Sequence, residues 1–400
     1  MDFEVLICGS DVNAYYMARC VHEAYNKKAY MLIKDKLAYT TYSKIINHIY
    51  NDKIWDEAEF INAVNTFASE KDYKKIVVIS SNETYEKFLV SNRDSFNENI
   101  LFCYPDVHII NSLINKEEFY KTYENSLLNF PTTIYYKFQN DDAFENLKYP
   151  LIVKPANVIK YNHVDFPGKK KIFKVENSEE LASVLNSIKC SKYDDTLIIQ
   201  EYIPGDDSHL FDSVVYCDSE GKAKLVSFAQ IGLQEHNPSM VGNAAVLING
   251  FNSFNADTSS TIDSICKFLE GINYKGFAEI DMKYDERDGK FKVLEINARQ
   301  GRCSYYVAQA GYNLVKVLVD DLIYGKKTDF NVVDKMVMLT FVNKSIIKKY
   351  VKNTEFKKQA LKMYSKSVNP LKLILSLSLN LPVSMSFTSG FNGKSKINLL

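Results

Sequence analysis

The stretch GFAEIDMKYDERDGKFKVLEINARQGR, residues 276–302, decides the reading of this chain. Residues 285–289 make a turn between two alternating segments, the pattern of a β-hairpin. Pairing Tyr284 with Lys290 sets Glu279 opposite Glu295, and Asp281 opposite Val293 and diagonal to Glu295. Strand side chains alternate between faces. Ala278, Ile280, Met282, Leu294 and Ile296 then form a core face, and Glu279, Asp281, Glu295 and Asn297 share the other. Diagonal neighbours lie roughly 7–8 Å apart, so two carboxylates reach a common cation. Oxygen donors of this kind suit Mg²⁺, which takes one or two carboxylates plus substrate phosphates. Arg299 and Arg302 follow at once and can hold phosphate or carboxylate bidentately. The competing reading is a solvated acidic face, but Glu-Ile-Asn-Ala-Arg closing a buried-looking strand favours a site.

Further out, the segment YPLIVKPA (149–156) is an apolar strand that delivers Lys154 to a sheet end. Lys116 opens a helix, where the dipole disfavours a cation and a bound anion would resolve the conflict. In QEYIPGDD (200–207) a strand stops and turns. A halted strand exposes backbone groups that can pair with an adenine edge, and a following aspartate can take ribose hydroxyls. The simpler alternative is a Pro-Gly turn capped by two aspartates. The first 110 residues alternate strand and helix: Phe3–Cys8, a helix over 12–24, and strands at 30–33, 76–80 and 100–103, an open α/β sheet. Only Gly9 stands where a GxGxxG fingerprint needs three glycines, which argues against dinucleotide binding.

Composition bounds the rest. The 400 residues carry 49 Lys+Arg and 49 Asp+Glu, without the basic excess of a dedicated nucleic-acid binder. With 46% hydrophobic and 24% charged residues, the chain can bury a sizeable core. Seven scattered cysteines without a CxxC pair read as reduced thiols of a cytoplasmic protein. Met1 runs almost directly into an apolar strand, unlike a secretory leader, and no apolar run reaches 18 residues. The neutral total hides an asymmetry: residues 331–400 hold 12 Lys against two acids, Asp334 and Glu355. Leucines at every second position from Leu371 to Leu381 predict a strand in this basic tail, packed on the body or a partner subunit; contact with an anionic membrane surface is the alternative.

Lys-Pro at 154–155, QEYIPGDD at 200–207, Asp281 and EINAR at 295–299 occur in an order and spacing that resembles the ATP-grasp superfamily. The stretches 295–313 and 154–173 are further similar to D-aspartate ligase-like carboxylate–amine ligases. The resemblance implies an α/β (α+β) grasp fold in four parts: a pre-grasp α/β domain over 1–110, a small lobe over 111–195, a large lobe with the metal site over 196–330, and a basic extension over 331–400. It implies that Lys116 and Lys154 contact the phosphates of ATP, that Gln200, Glu201, Tyr202 and Ile203 hold adenine, and that Asp207 (or Asp206) binds ribose. Asp281, Glu295 and Asn297 would hold Mg²⁺, with Mn²⁺ as the alternative. Arg299 would stabilise the transferring phosphoryl group; Arg302, with Tyr305 and Tyr306, would line the carboxylate pocket. The flap, residues 157–175, departs from the glycine-rich pattern, so lysines 169–171, Lys171 foremost, would close over the phosphates by charge.

The implied reaction joins a carboxylate, such as D-aspartate, to an amine-bearing acceptor through an acyl phosphate, releasing ADP and phosphate, as in building a peptidoglycan cross-bridge. Other acid–amine pairs and a non-catalytic nucleotide-binding module are the alternatives. The loop over residues 232–249 would choose the substrate, and a homo-oligomer is left open.

Overall fold

The computed structural model describes residues 2–138, 148–236, 242–377, 386–387 and 395–396. Its N-terminal part is a five-stranded parallel sheet in the order β3-β2-β1-β4-β5. The strands are β1 (Phe3–Cys8), β2 (Ala29–Ile33), β3 (Ile46–Tyr50), β4 (Lys75–Ser80) and β5 (Ile100–Leu101). Helices α1 (Val12–Tyr25), α2 (Glu57–Ser69) and α3 (Glu83–Ser91) connect them. β1 and β4 are apolar on both faces, as parallel strands covered by helices must be. Strand β3 was not legible in advance: it is an edge strand with Tyr50 exposed. Lys116 opens a helix as expected, α5 (Lys116–Tyr123), directly after α4 (Val107–Ile114). Asn115 separates them, its side chain accepting from the backbone N–H of Glu117 at 3.0 Å and Glu118 at 3.3 Å to cap α5.

A second, antiparallel sheet follows in the order β6-β9-β7-β8. It comprises β6 (Thr133–Tyr136), β7 (Leu151–Pro155), β8 (Phe173–Val175) and β9 (Leu197–Glu201), with α6 (Val158–Asn162) and α7 (Ser178–Cys190) beside it. The largest sheet contains β10 (Leu210–Cys217), β11 (Ala223–Ser227), β12 (Ala229–Gln234), β13 (Ala244–Asn249), β14 (Gly276–Asp285) and β15 (Lys290–Asn297). Helices α8 (Thr258–Gly271), α9 (Tyr305–Gln309) and α10 (Leu314–Leu322) cover it, and β16 (Asn331–Val333) and β17 (Val337–Thr340) complete it. Its main path is β15-β14-β10-β12-β13-β17. The N-terminal and largest sheets share apolar clusters: Val5 and Ile7 belong to the same core as Val214, Tyr216 and Leu314.

Two expectations are corrected. The hairpin turn pairs Asp285 with Lys290 and Tyr284 with Phe291, one residue away from the expected register. A β-bulge at Val293–Glu295 then restores the phase, so Asp281 lies directly opposite Glu295 and Glu279 opposite Asn297. Val293 takes the core position assigned to Leu294, and Leu294 turns toward the cleft. In the tail, residues expected to form a strand make helix α13 (Pro370–Ser376), after α11 (Lys344–Tyr350) and α12 (Thr354–Met363). Proline is favoured in the first helical turn, and Asn369 accepts from the backbone N–H of Lys372 at 3.2 Å. Leu379 and Leu381 lie outside the described residues. Tyr15 and Arg19 of α1 donate to the carbonyl of Leu373 at 2.8 and 2.9 Å, anchoring the tail to the N-terminal part.

Helix α12 packs on β12 at Gly232, where an added Cβ would overlap the ring of fully buried Phe356. Gly232→Ala is therefore expected to destabilise the protein by about 1–3 kcal/mol, the range of overpacked cores. The loss should shrink on a Phe356→Leu background, because the two sites compete for one volume. Urea denaturation of the single and double variants checks this.

Candidate active site

A cavity of about 540 Å³ opens between the four-stranded sheet and the largest sheet, within the size range of ligand pockets. One wall is the outer face of three adjacent strands. β10 pairs with β14 so that Asp212 stands opposite Asp281, and β14 pairs with β15 so that Asp281 stands opposite Glu295. Asp212, Glu279, Asp281 and Glu295 therefore share one face, with Asn297 beside Glu279. All five line the cavity. Asp212 was missed in the sequence: it sits inside an otherwise apolar strand, LFDSVVYC, whose pattern signals burial and not chemistry.

Clustered acids in a low-dielectric cleft cannot all ionise cheaply. Burial, then the neighbouring charge of Asp212, pushes the Glu279 carboxyl above the usual carboxylate range. Asp281 is pushed well above it by burial and by Glu279, Glu295 and Asp212. Burial also raises Asp212, against the hydrogen bond from the Tyr306 hydroxyl at 2.7 Å. Glu295 goes the other way, because the Lys116 ammonium stands 2.6 Å from its carboxylate and holds it well below the ordinary range. This pair answers the puzzle of a lysine at a helix start: its anion here is Glu295.

Around this face, Asn297 donates to Glu279 at 3.3 Å, and Arg299 stands 3.7 Å from the same carboxylate. Gly301 permits the arrangement, since a Cβ there would overlap the Glu279 carboxylate. Arg302 stacks on Phe341, 4.2 Å from the ring centre, and meets buried Glu235 at 3.3 Å. Among the described residues no three carboxylate, imidazole or thiolate groups already converge as metal ligands. Carboxylates with an amide oxygen beside them are the donor type of a hard divalent cation that completes its shell with other oxygens. A divalent cation fits: it would relieve the repulsion that raises Asp281 and Glu279.

The opposite wall is basic and apolar. Lys154 ends β7 almost fully buried, its ammonium 3.2 Å from the Tyr120 hydroxyl. Burial, then the charge of Lys116, presses it down to about 7. Lys171 also lines the cavity, as do Gln200, Glu201, Tyr202 and Ile203 at the end of β9. Ile152, Met282 and Leu294 provide an apolar slot between the sheets. Tyr202 is flanked by the ammonium groups of Lys174 and Lys283, 4.2 and 5.0 Å from its ring centre. Asp206 and Asp207 are not among the lining residues. The Asp207 carboxylate accepts from the backbone and side-chain amides of Gln234 at 2.9 and 2.8 Å. Tyr305 faces α1, donating to Glu23 at 2.6 Å, and Tyr306 reaches the site only through Asp212. Residues 237–241 of the expected substrate loop lie outside the described residues. All seven cysteines are unpaired thiols, six of them buried. Among the described residues, no helix is long and apolar enough to cross a membrane.

Two facing sheets, with an acidic face on one and buried Lys154 on the other, are the architecture of an ATP-grasp carboxylate–amine ligase, the class in which the chain's relatives place it. Comparison with known proteins makes this particular. The chain is 33% identical over 375 residues to a D-aspartate ligase of Enterococcus faecium, covering 90% of this chain and 88% of that one, and it belongs to the D-aspartate ligase family. No protein-family model matches it. The L-amino acid ligase of Bacillus licheniformis shares the fold at a TM-score of 0.58 and 16% identity, over 80% of this chain and 74% of that one. The N5-carboxyaminoimidazole synthetase of Staphylococcus aureus, complexed with ADP, does so at 0.63 and 15% identity, over 86% and 84%.

The low affinity of Lys154 for its proton has a measurable consequence. Between pH 7 and its ordinary pKa of about 10.4 the buried amine is mostly neutral, and an arriving phosphate favours the charged form. Binding of ATP at pH 8 without Mg²⁺, so that no metal displaces protons from the acidic face, is expected to take up a proton, seen as a buffer-dependent heat in titration calorimetry. Lys154→Met should abolish that dependence and weaken binding by about tenfold or more, the scale of one hydrogen bond to a charged group.

Proposed function

We propose that this protein uses MgATP to join the β-carboxylate of D-aspartate to an amine, with a lysine side chain of a peptidoglycan precursor as the acceptor. The observation that carries the reading is the meeting, in one cavity, of the Asp212–Glu279–Asp281–Glu295 face with Lys116, Lys154 and Arg299, in a chain with a D-aspartate ligase as its relative. ATP would lie between the two sheets. Its adenine occupies the apolar slot against residues 200–203, and its phosphates meet Lys116, Lys154 and Lys171. Asp281, Glu295 and Asn297 would hold Mg²⁺, which when bound would neutralise charge developing on the phosphate oxygens. The parts division at 110, 195 and 330 is proposed from the family resemblance, with the start of the last part lending β16 and β17 to the large lobe's sheet.

The substrate carboxylate attacks the γ-phosphorus, and ADP departs. Negative charge gathers on the transferring oxygens, where the Arg299 guanidinium stands preorganised beside Glu279. The product acyl phosphate carries a good leaving group on the former carboxylate carbon. An amine then attacks that carbon and phosphate leaves. Arg302, held by Glu235 and Phe341, is positioned to take the carboxylate that does not react. No side-chain nucleophile takes part; the protein supplies position, charge and exclusion of water from the acyl phosphate. Among carboxylates, one that can place a second carboxylate on Arg302 is the substrate this wall prefers.

Glu295→Gln is expected to cut turnover by about 10²-fold or more, the scale of losing one well-placed electrostatic group. It should also remove the Mg²⁺-dependent stabilisation by nucleotide in a thermal melt. The products should be ADP and phosphate. AMP with pyrophosphate, or near-normal turnover of Glu295→Gln at saturating Mg²⁺, would contradict the reading.

A further inference from the structure

Among the described lining residues of the cavity, one comes from the first 110 residues of the chain: Glu83, at the start of α3. Its carboxylate is half exposed, and its partner is the Arg299 guanidinium at 3.4 Å. One helical turn further, Glu86 is fully buried, and neither of its carboxylate oxygens has a hydrogen-bond partner. Arg299 Nε is likewise buried and unpartnered. The first turn of α3 thus presents two carboxyl groups to the arginine that faces the transferring phosphoryl group, through one loose contact and several unmet hydrogen-bonding groups.

We infer that Glu83 is the receptor for the incoming amine: its carboxylate binds the acceptor as an alkylammonium and takes the proton that must leave before nitrogen can attack. The inference rests on the ligase reading above. Three points carry it. Glu83 lines the cavity half exposed, and its contact with Arg299, at 3.4 Å, is long for an ion pair, so its carboxylate is open to a second cation. With the nucleotide placed between the two C-terminal sheets as proposed above, the second substrate approaches from the N-terminal side, where Glu83 lines the cavity. An alkylamine with an ordinary pKa of about 10.4 arrives protonated at neutral pH and is not a nucleophile until a base relieves it.

The step balances. The ammonium gives one proton to the Glu83 carboxylate, which passes it to solvent. The free amine forms the C–N bond, and the C–O bond to phosphate breaks with its electron pair. The second nitrogen proton leaves on the departing phosphate.

The test sets two nucleophiles in competition for the acyl phosphate. With MgATP and D-aspartate, hydroxylamine, uncharged at neutral pH, traps a hydroxamate; Nα-acetyl-L-lysine, a cationic alkylamine, gives an amide. In Glu83→Gln the ratio of amide to hydroxamate is expected to fall by about tenfold or more, the scale of a lost charged hydrogen bond. Glu83→Asp, which keeps the charge but shortens its reach, should fall between the two. An unchanged ratio in Glu83→Gln overturns the inference, because a role confined to holding Arg299 would lower both products together. A raised KM for D-aspartate in hydroxamate formation overturns it in favour of the acid substrate's own ammonium. Hydroxamate without amide from the wild-type protein overturns it as well. Failure of the wild-type protein to form hydroxamate at all counts against the ligase reading itself, and the inference falls with it.

Discussion

Four carboxylates held on one face of three neighbouring strands are the constraint on which the rest of this structure depends. In a low-dielectric cleft their repulsion is not screened by water, and an acidic face of this density persists only where cations answer it. Lys116 answers Glu295 at 2.6 Å from the start of α5, and Arg299 answers Glu279 at 3.7 Å from the turn after β15. Tyr306 satisfies Asp212 by a hydrogen bond. Asp281 has no cation beside it among the described residues, and burial with the neighbouring acids drives its carboxyl toward the neutral form. A cation arriving with a polyphosphate, as proposed, would complete this balance and couple the affinities for metal and nucleotide through the same charges.

The three sheets divide the work of positioning. The largest sheet holds the acids rigidly, because β14 is paired on both sides along the acidic stretch. The four-stranded sheet brings Lys154 and the residues that end β9 across the cleft. The N-terminal sheet shares apolar core with the largest one, so α3 is held against the turn that carries Arg299. A side-chain bridge reinforces this seam: Asn13 donates to the carbonyl of Gln300 at 2.9 Å, and Gln300 donates to that of Ser80 at 2.8 Å. Arg299, the arginine proposed to face the phosphoryl group, is thus gripped by a part of the chain more than 200 residues away in sequence.

Much of this was legible in the sequence, for physical reasons. The alternation of residues 276–297 placed Glu279, Asp281, Glu295 and Asn297 together, and a strand period survives an error in register when a bulge shifts the phase back. The actual pairing was not legible, since nothing in DERDG distinguishes a turn beginning at Asp285 from one a residue shorter. Asp212 was invisible because its significance comes from strand order: only the pairing of β10 with β14 sets it opposite Asp281. Glu83 carries no local signal at all, being an acid in a first helical turn like many others. The leucines of the tail misled because a short apolar run reads equally well with either period, and the Asn369-Pro370 start decides for helix.

The account stands on transfer of a phosphoryl group to the acid substrate. The most direct measurement supplies D-aspartate with oxygen-18 in its β-carboxylate, together with MgATP and a lysine-type amine, and follows the isotope by mass spectrometry. Passage through an acyl phosphate predicts one heavy oxygen in each inorganic phosphate released. Phosphate without the label, or label in AMP, would contradict it.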